Sequence, residues 1–268
     1  MIPTIRNGIQ MASNDISVIS HNLANASTNG YKRSRSEFYD SYGQGMNSLP
    51  NVDLGHGART DGPIRNFSQG AIKSSGSELD LAISGVGMFG TVKREDGTQD
   101  ALDPDADITY TRDGSFRLDV DGTVVTTDGR AVLGPGGGVM RVPLTQIDAN
   151  GNRQFLTALN IQDDGTFEGT YGDGSIINLG RVALFDFINL GGLTSIGNGH
   201  FKVSAKSGPA LVGQAREGTF GRVLAGNLEA ANVNVTDEMT KLMKAQQAYS
   251  GSSRLLQAAV DMTKRLIG

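Results

Sequence analysis

Few stretches of this sequence combine the residue types and spacing that chemistry requires. Gly85-Val-Gly87-Met-Phe-Gly90 matches G-x-G-x-x-G and follows the strand-like Leu79–Ile83. A dinucleotide site needs a helix to open there, so that its N-terminus faces the pyrophosphate. The next residues, Thr91-Val-Lys-Arg-Glu-Asp-Gly97, read as strand then turn, so the glycines mark the start of a strand. Gly134-Pro-Gly-Gly-Gly138 lacks the Lys-Ser/Thr that completes a phosphate loop and reads as a turn. Carboxylates bunch at Asp103-Pro-Asp105-Ala-Asp107 and at Asp119-Val-Asp121. A calcium loop needs Gly at its sixth position, where these two stretches carry Ile108 and Val124. Both read as solvated turns. His21, His56 and His200 lie far apart without metal-ligand spacing, as surface or packing residues do. The chain has no Cys, which removes thiolate nucleophiles, thiolate metal sites and disulfides together. It also lacks a Gly-x-Ser-x-Gly elbow. Catalytic, cofactor and metal sites are therefore not expected, nor is enzymatic activity.

The elements that would hold such residues are clearer than the residues themselves. Over 4–28, the apolar residues Ile2, Ile5, Ile9, Ala12, Ile16, Ile19, Leu23 and Ala26 alternate in spacings of three and four. That is the narrow seam of a coiled-coil helix. Polar residues fill the gaps, Asn22 and His21 among them, and Asn29-Gly30 supplies a stop signal. Over 235–267 the same spacing links Val235, Met239, Leu242, Gln246, Tyr249, Ser253, Leu256, Val260, Thr263 and Ile267. Thr236 reads as the N-cap, with Asp237 and Glu238 in the first turn and Lys264 and Arg265 in the last, as the helix dipole favours. A second line through Met243, Leu255, Ala259, Met262 and Leu266 would be left uncovered by a two-helix hairpin.

The middle of the chain reads as β. Gly makes up 37 of 268 residues, about twice its usual ~7% share, so turns must be frequent. Asp96-Gly97, Asp113-Gly114, Asp121-Gly122, Asp128-Gly129, Asn150-Gly151, Asp164-Gly165 and Asp173-Gly174 separate short β-prone runs, as tight hairpin turns do. Ile108–Thr111, Ser115–Leu118, Thr123–Thr126 and Val182–Phe185 are predicted strands. Residues 38–70 are rich in Gly, contain Pro50 and Pro63, and show little periodicity. They are either a linker or an extended arm lying on something else. The expected fold is α+β: N- and C-terminal helices paired as a coiled coil over 1–33 and 234–268, an arm over 34–75, and a mainly antiparallel β domain over 76–233. Isolated amphipathic helices are marginal in water, so the ends should pair with each other, with neighbouring copies, or with both. The formal net charge of −4 gives no electrostatic footprint for nucleic acid, and no apolar run approaches the ~20 residues that span a bilayer. The N-terminus lacks the charged and apolar regions of a cleavable signal, which fits a cytoplasmic chain or one exported without such a signal.

Three stretches resemble one family, the axial subunits of the bacterial flagellum that build the rod and hook. The first is His21-Asn-Leu-Ala-Asn-Ala-Ser-Thr-Asn-Gly-Tyr-Lys-Arg33. The second runs from Leu79-Asp-Leu-Ala-Ile-Ser-Gly-Val-Gly-Met-Phe89 to Tyr110-Thr-Arg-Asp-Gly-Ser-Phe116. The third is Asn227-Leu-Glu-Ala-Ala-Asn-Val-Asn-Val235, leading into Gln246-Gln-Ala-Tyr249. Met88 stands where the family usually has an aromatic residue, and 141–225 carries no motif beyond its β character. Ser48–Arg59 resembles the segment that distal rod subunits carry after the first helix.

The resemblance implies a structural subunit of the basal-body rod, the distal rod ahead of the proximal, that polymerises into a helical tube. The terminal helices would form its inner coiled-coil layer and the β domain its outer layer, transmitting torque around the export channel. Contacts between subunits are expected at Ile5, Ile9, Ile16, Ile19 and Leu23, and at Val235, Met239, Leu242, Tyr249, Leu256, Val260 and Ile267. Implied partners are further copies, other rod and hook subunits, the bushing rings around the rod and the export apparatus. Nucleic acid, membrane insertion and cofactors are not implied. The implied location is the flagellar basal body, reached across the periplasm by type III export without a cleavable signal. Three alternatives remain: a hook subunit, a glycan-binding or glycan-cleaving β domain with incidental helical ends, and a homodimeric coiled-coil adaptor.

Overall fold

The computed structural model describes residues 2–42, 55–93, 107–147 and 151–267. Asp96-Gly97, Asp103-Pro-Asp105, Asn150 and most of Ser48–Arg59 lie outside the described residues. The terminal helices contact each other and flank an antiparallel β region, giving an α+β chain in two compact units. The first unit comprises 1–26, 32–66 and 233–268, and the second 27–31 and 67–232.

In the first unit, helix α1 spans Ile2–Ala24 and helix α2 spans Val235–Ile267. The C-terminal helix begins where its spacing predicts, but Thr236 is not its cap. Asn234 fills that role, its side-chain oxygen accepting from the N–H of Thr236 at 3.0 Å. An Asx side chain two positions earlier meets the otherwise orphaned N–H groups of Thr236 and Asp237, the second at 3.4 Å. Helix α1 stops at Ala24, well before Asn29-Gly30.

The stretch read as an aperiodic arm contains a hairpin. Strand β1 (Ser34–Tyr42) pairs antiparallel with strand β2 (Gly55–Arg65). Register shifts between Ser36 and Phe38 and between Asp40 and Tyr42 interrupt the ladder. Each bulge inserts a residue and moves later side chains to the other face, so a two-residue alternation cannot be read from the sequence.

The second unit is built from short strands: β3 (Ile72–Ser74), β4 (Leu81–Ser84), β5 (Met88–Lys93), β6 (Ile108–Thr111), β7 (Phe116–Leu118), β8 (Val124–Thr126) and β9 (Arg130–Val132). There follow β10 (Thr145–Ile147), β11 (Arg153–Ile161), β12 (Thr166–Tyr171), β13 (Ile176–Arg181) and β14 (Leu184–Asp186). The last are β15 (Thr194–Gly197), β16 (His200–Lys202), β17 (Leu211–Gly213), β18 (Arg222–Ala225) and β19 (Asn227–Glu229). One sheet runs β15-β16-β6-β5-β9-β8-β7, with β14 and β17 joined to it through β5. A separate sheet has the order β10-β11-β12-β13, and two ribbons pair β18 with β4 and β19 with β3.

Strand β5 explains why this region lacks simple alternation. Phe89 packs into a core with Leu81, Ile83, Phe116 and Phe167, while Met88 and Val92 pack into another with Tyr110, Phe185 and Phe201. Both faces of β5 are covered, so it reads as a continuous apolar run. The G-x-G-x-x-G stretch joins β4 to β5 and opens no helix. Gly90 lies under the Phe185 ring, where an added Cβ would fall 2.3 Å from a ring carbon. Four of the Asp-Gly pairs mark turns, with Gly122, Gly129, Gly165 and Gly174 all at positive φ, whereas Asp113-Gly114 joins β6 to β7 without a tight turn, and a Cβ on Gly114 would fall 1.7 Å from the Leu81 carbonyl oxygen.

His200 is a buried packing residue of β16. Its Nε2 lies 3.0 Å from a carboxylate oxygen of Asp128, and its Nδ1 has no partner. Burial lowers the His200 pKa; Asp128 opposes that shift, and the nearby Arg130 adds to it while Asp113 works against it. The folded imidazole thus resists a proton that the unfolded chain accepts near the ordinary value of about 6.5. Its contribution to stability is complete above that pH and is lost as pH falls below it. Denaturant midpoints of the full chain should therefore drop between about pH 7 and pH 5, with a slope of up to about 1.4 kcal/mol per pH unit. His200→Gln, which keeps a donor toward Asp128 but does not titrate, should flatten that slope. An equal drop in the variant would assign the effect to other groups.

Candidate assembly surface

Among the described residues no group of His, Asp and Glu is placed to hold a metal ion, and the surface considered as functional is that of the helix unit. Its polar centre is Asn22. The side-chain amide donates to the Ser34 carbonyl at 2.7 Å and to Glu238 Oε2 at 3.0 Å, while its oxygen accepts from the Ser34 N–H at 2.9 Å. One side chain thus acts as a strand partner for β1 and ties α1 to the first turn of α2. Asn22 and Glu238 are both 1% exposed, and the other oxygen of Glu238 accepts from Lys241 Nζ at 2.6 Å. A carboxylate in the first turn also meets the positive end of the helix dipole.

The Asn22–Glu238 bond at one end and the approach of Gly8 to Ser252 further along set α1 and α2 antiparallel. Small residues occupy this line of approach. Gly8, Ala12, Ala245, Ala248 and Ser252, together with Met11, Asp15 and Phe38, line a shallow, mainly apolar cleft. Side chains this small let the helix axes come close, and they leave little apolar interior. Among the described residues of this unit, the buried apolar side chains are Ala12, Ile19, Ala245 and Ala259.

The larger apolar side chains lie elsewhere. Of those expected to make subunit contacts, Ile19 is buried, and Ile5, Ile9, Ile16, Leu23, Leu242 and Leu256 are partly exposed. Val235, Met239, Tyr249 and Val260 are exposed, at 40%, 49%, 42% and 39%. The side chain of Ile267 lies outside the described residues. The second apolar line on α2 is open as well, with Met243, Leu255, Met262 and Leu266 all exposed. From Asp261 to Leu266 every side chain of α2 is exposed.

Reasoning from the apolar spacing alone missed the pairing of Asn22 with Glu238, and of the small residues along the cleft it included only Ala12. Asn22 follows Ile19 by three residues and Glu238 precedes Leu242 by four, so both stand at helical spacing from a seam position. A polar group within an apolar stripe was the available signal, as it is at the polar core positions of coiled coils. Removing the Asn22 amide strands the Ser34 backbone and one Glu238 oxygen. Asn22→Ala should cost at least about 2 kcal/mol, since each buried group left unpaired costs ~1–3 kcal/mol. Asn22→Asp should be no better, because it sets a second carboxylate against Glu238. Hydrogen exchange should show both helices losing protection while the strands around Phe89 keep theirs. Native protection of α1 in Asn22→Ala would show that the amide does not tie the unit together.

Two family models match this chain. The C-terminal model of the flagellar basal body rod FlgEFG proteins matches residues 224–268, from β18 through α2. The D1 domain model of the flagellar hook protein FlgE/F/G matches residues 82–169, from β4 into β12. Along its length the chain is similar to the flagellar basal-body rod protein FlgG of Buchnera aphidicola subsp. Schizaphis graminum, at 34% identity over 99% of each chain. It is 32% identical to the FlgG of Bacillus subtilis strain 168, over 100% of this chain and 98% of that one. It is 26% identical to the flagellar basal-body rod protein FlgF of Caulobacter vibrioides, over 94% of this chain and 90% of that one. A third of the residues identical across almost the whole of two chains, with both family models in matching order, establishes that this chain belongs to the flagellar basal-body rod protein family, as a structural rod subunit and not an enzyme.

Proposed function

We propose that this rod subunit polymerises through its two terminal helices into a helical tube that transmits torque and encloses the export channel, and that it does so in the distal rod. The observation that carries the reading is the outward distribution of apolar side chains in the helix unit. Three of its four buried apolar residues are alanines, while Met239, Met243, Tyr249, Leu255, Val260 and Met262 face outward. Burying a large apolar side chain contributes about 1.5–3 kcal/mol, so stacking these helices against further copies would supply stabilisation that the isolated pair lacks. Unlike contacts repeated without closure generate an open helical assembly.

The distal position draws on the resemblance of Ser48–Arg59 to distal rod subunits and on the higher identity to proteins named FlgG than to one named FlgF. In this reading strands β1 and β2 lie in contacts between neighbours and stiffen the tube. The bushing rings around the rod are a further partner in this reading. Other rod subunits and the hook meet the ends of the assembly, and the chain reaches its place through the flagellar export apparatus without a cleavable signal. The helices, being marginal alone, gain their full order on assembly.

Met239→Asp and Val260→Asp test the central claim without disturbing the fold. Both side chains are substantially exposed in the single chain. Surface substitutions usually change stability by no more than about 0.5 kcal/mol, so the purified variants should melt as the native chain does. Cells carrying them should lose motility, and micrographs of their basal bodies should show rods that stop short. Motile cells with rods of normal length would remove these positions from the assembly surface.

A further inference from the structure

The chain passes between its two units four times, after Ala26, Tyr31, Asn66 and Asn232. Within the β unit, the segments that begin or end at those crossings, 27–31, 67–70 and 227–232, gather at one buried ion pair. Arg112 Nη1 lies 3.2 Å from Glu229 Oε2, and the two side chains are 8% and 0% exposed. The remaining Arg112 donors reach back into β4 and its end, to the carbonyls of Ile83 at 3.3 Å and Gly85 at 2.7 Å.

Each crossing segment is fastened to this pair or to its backbone. The second carboxylate oxygen of Glu229 accepts from the Gly70 N–H at 2.7 Å. The Glu229 carbonyl accepts from the Gly30 N–H, also at 2.7 Å. Gly30 has φ +65, and a Cβ on it would fall 2.4 Å from the Asp113 backbone nitrogen, so glycine alone lets this loop lie against the Arg112–Asp113 backbone. The Tyr31 carbonyl accepts from the Asn232 N–H at 3.3 Å, and Asn232 Nδ2 donates to the Ser68 carbonyl at 2.9 Å. The three stretches that carry the family resemblance contribute Gly30, Arg112 and Glu229, and they meet here.

We propose that the Arg112–Glu229 pair is a mechanical clamp that holds all four covalent crossings as one cooperative body, so that force passed along the chain between the units is borne jointly and not by each crossing separately. A buried pair broken on one side leaves an uncompensated charge, so the clamp should open as a whole or not at all. The proposal rests on the reading of the chain as a torque-transmitting subunit for its purpose, but its test does not require a rod.

Hydrogen exchange on the full-length monomer should show residues 27–31, 67–70 and 227–232 opening together. Glu229→Gln should accelerate exchange in all three by about a hundredfold or more, with β11–β13 unchanged. Because a stranded Arg112 could unfold the whole unit, the second variant is Arg112→Met/Glu229→Met. An apolar pair of similar volume often preserves stability, so the melting temperature should stay near native while the three segments still exchange faster in concert. Native exchange in 27–31 and 67–70 of the double variant, with acceleration confined to 227–232, would overturn the proposal. Loss of motility in Met239→Asp bears on assembly alone and leaves this result untouched.

Discussion

The helix unit must be ordered with almost no interior of its own, and most of its features follow from that shortage. Small residues at the line of approach bring α1 and α2 close and leave only Ala12, Ile19, Ala245 and Ala259 as buried apolar side chains among the described residues. Fixing each backbone residue costs roughly 1–2 kcal/mol, which methyl groups on that scale do not offset. Directional contacts make up part of the difference. Asn22 satisfies three buried polar groups from two other segments, a strand and a helix, and so fixes the register that a thin apolar seam would leave loose. A fully satisfied buried polar group of this kind specifies one arrangement more strongly than it stabilises it. The hairpin continues the same economy by lying along α1 and giving a narrow helix a second covered side.

The β unit works the other way. Its central strand is covered on both faces, and aromatic residues such as Phe89, Phe167 and Phe201 fill two cores. Within this well-packed body sits the buried pair of Arg112 and Glu229, bonded to each other and to backbone groups of Ile83, Gly85 and Gly70. That arrangement avoids the cost of an isolated buried charge. The contrast between a unit rich in core and one poor in it fits a chain in which one part is finished alone and the other is completed by neighbours.

Both helices, the antiparallel β region between them and the turn positions were legible in the sequence, because each rests on local chemistry: spacing of three and four, Asp-Gly turns, and β-prone runs such as Ile108–Thr111. What escaped notice rests on partners distant in sequence. Asn22 looks like a solvated residue until Ser34 and Glu238 arrive beside it. Gly30 reads as a helix stop, yet its left-handed backbone serves a close approach to Arg112 and Asp113. The hairpin was hidden by two bulges that scramble its alternation, and Asn234 displaced Thr236 as cap by two positions. The apolar seam itself was half legible. Leu242 and Leu256 lie toward the paired side, whereas Val235, Met239 and Val260 lie out on the surface, since a stripe of apolar residues does not declare which of its edges meets a helix of the same chain.

The unequal lengths of the two helices carry one more consequence. Helix α1 has 23 residues and α2 has 33, so α1 cannot cover the whole length of α2. A neighbour that packed the uncovered part of α2 against a different surface of the next copy would relate unlike faces, the kind of contact that repeats into a linear array. Repeated, it yields an assembly whose two tips expose different groups.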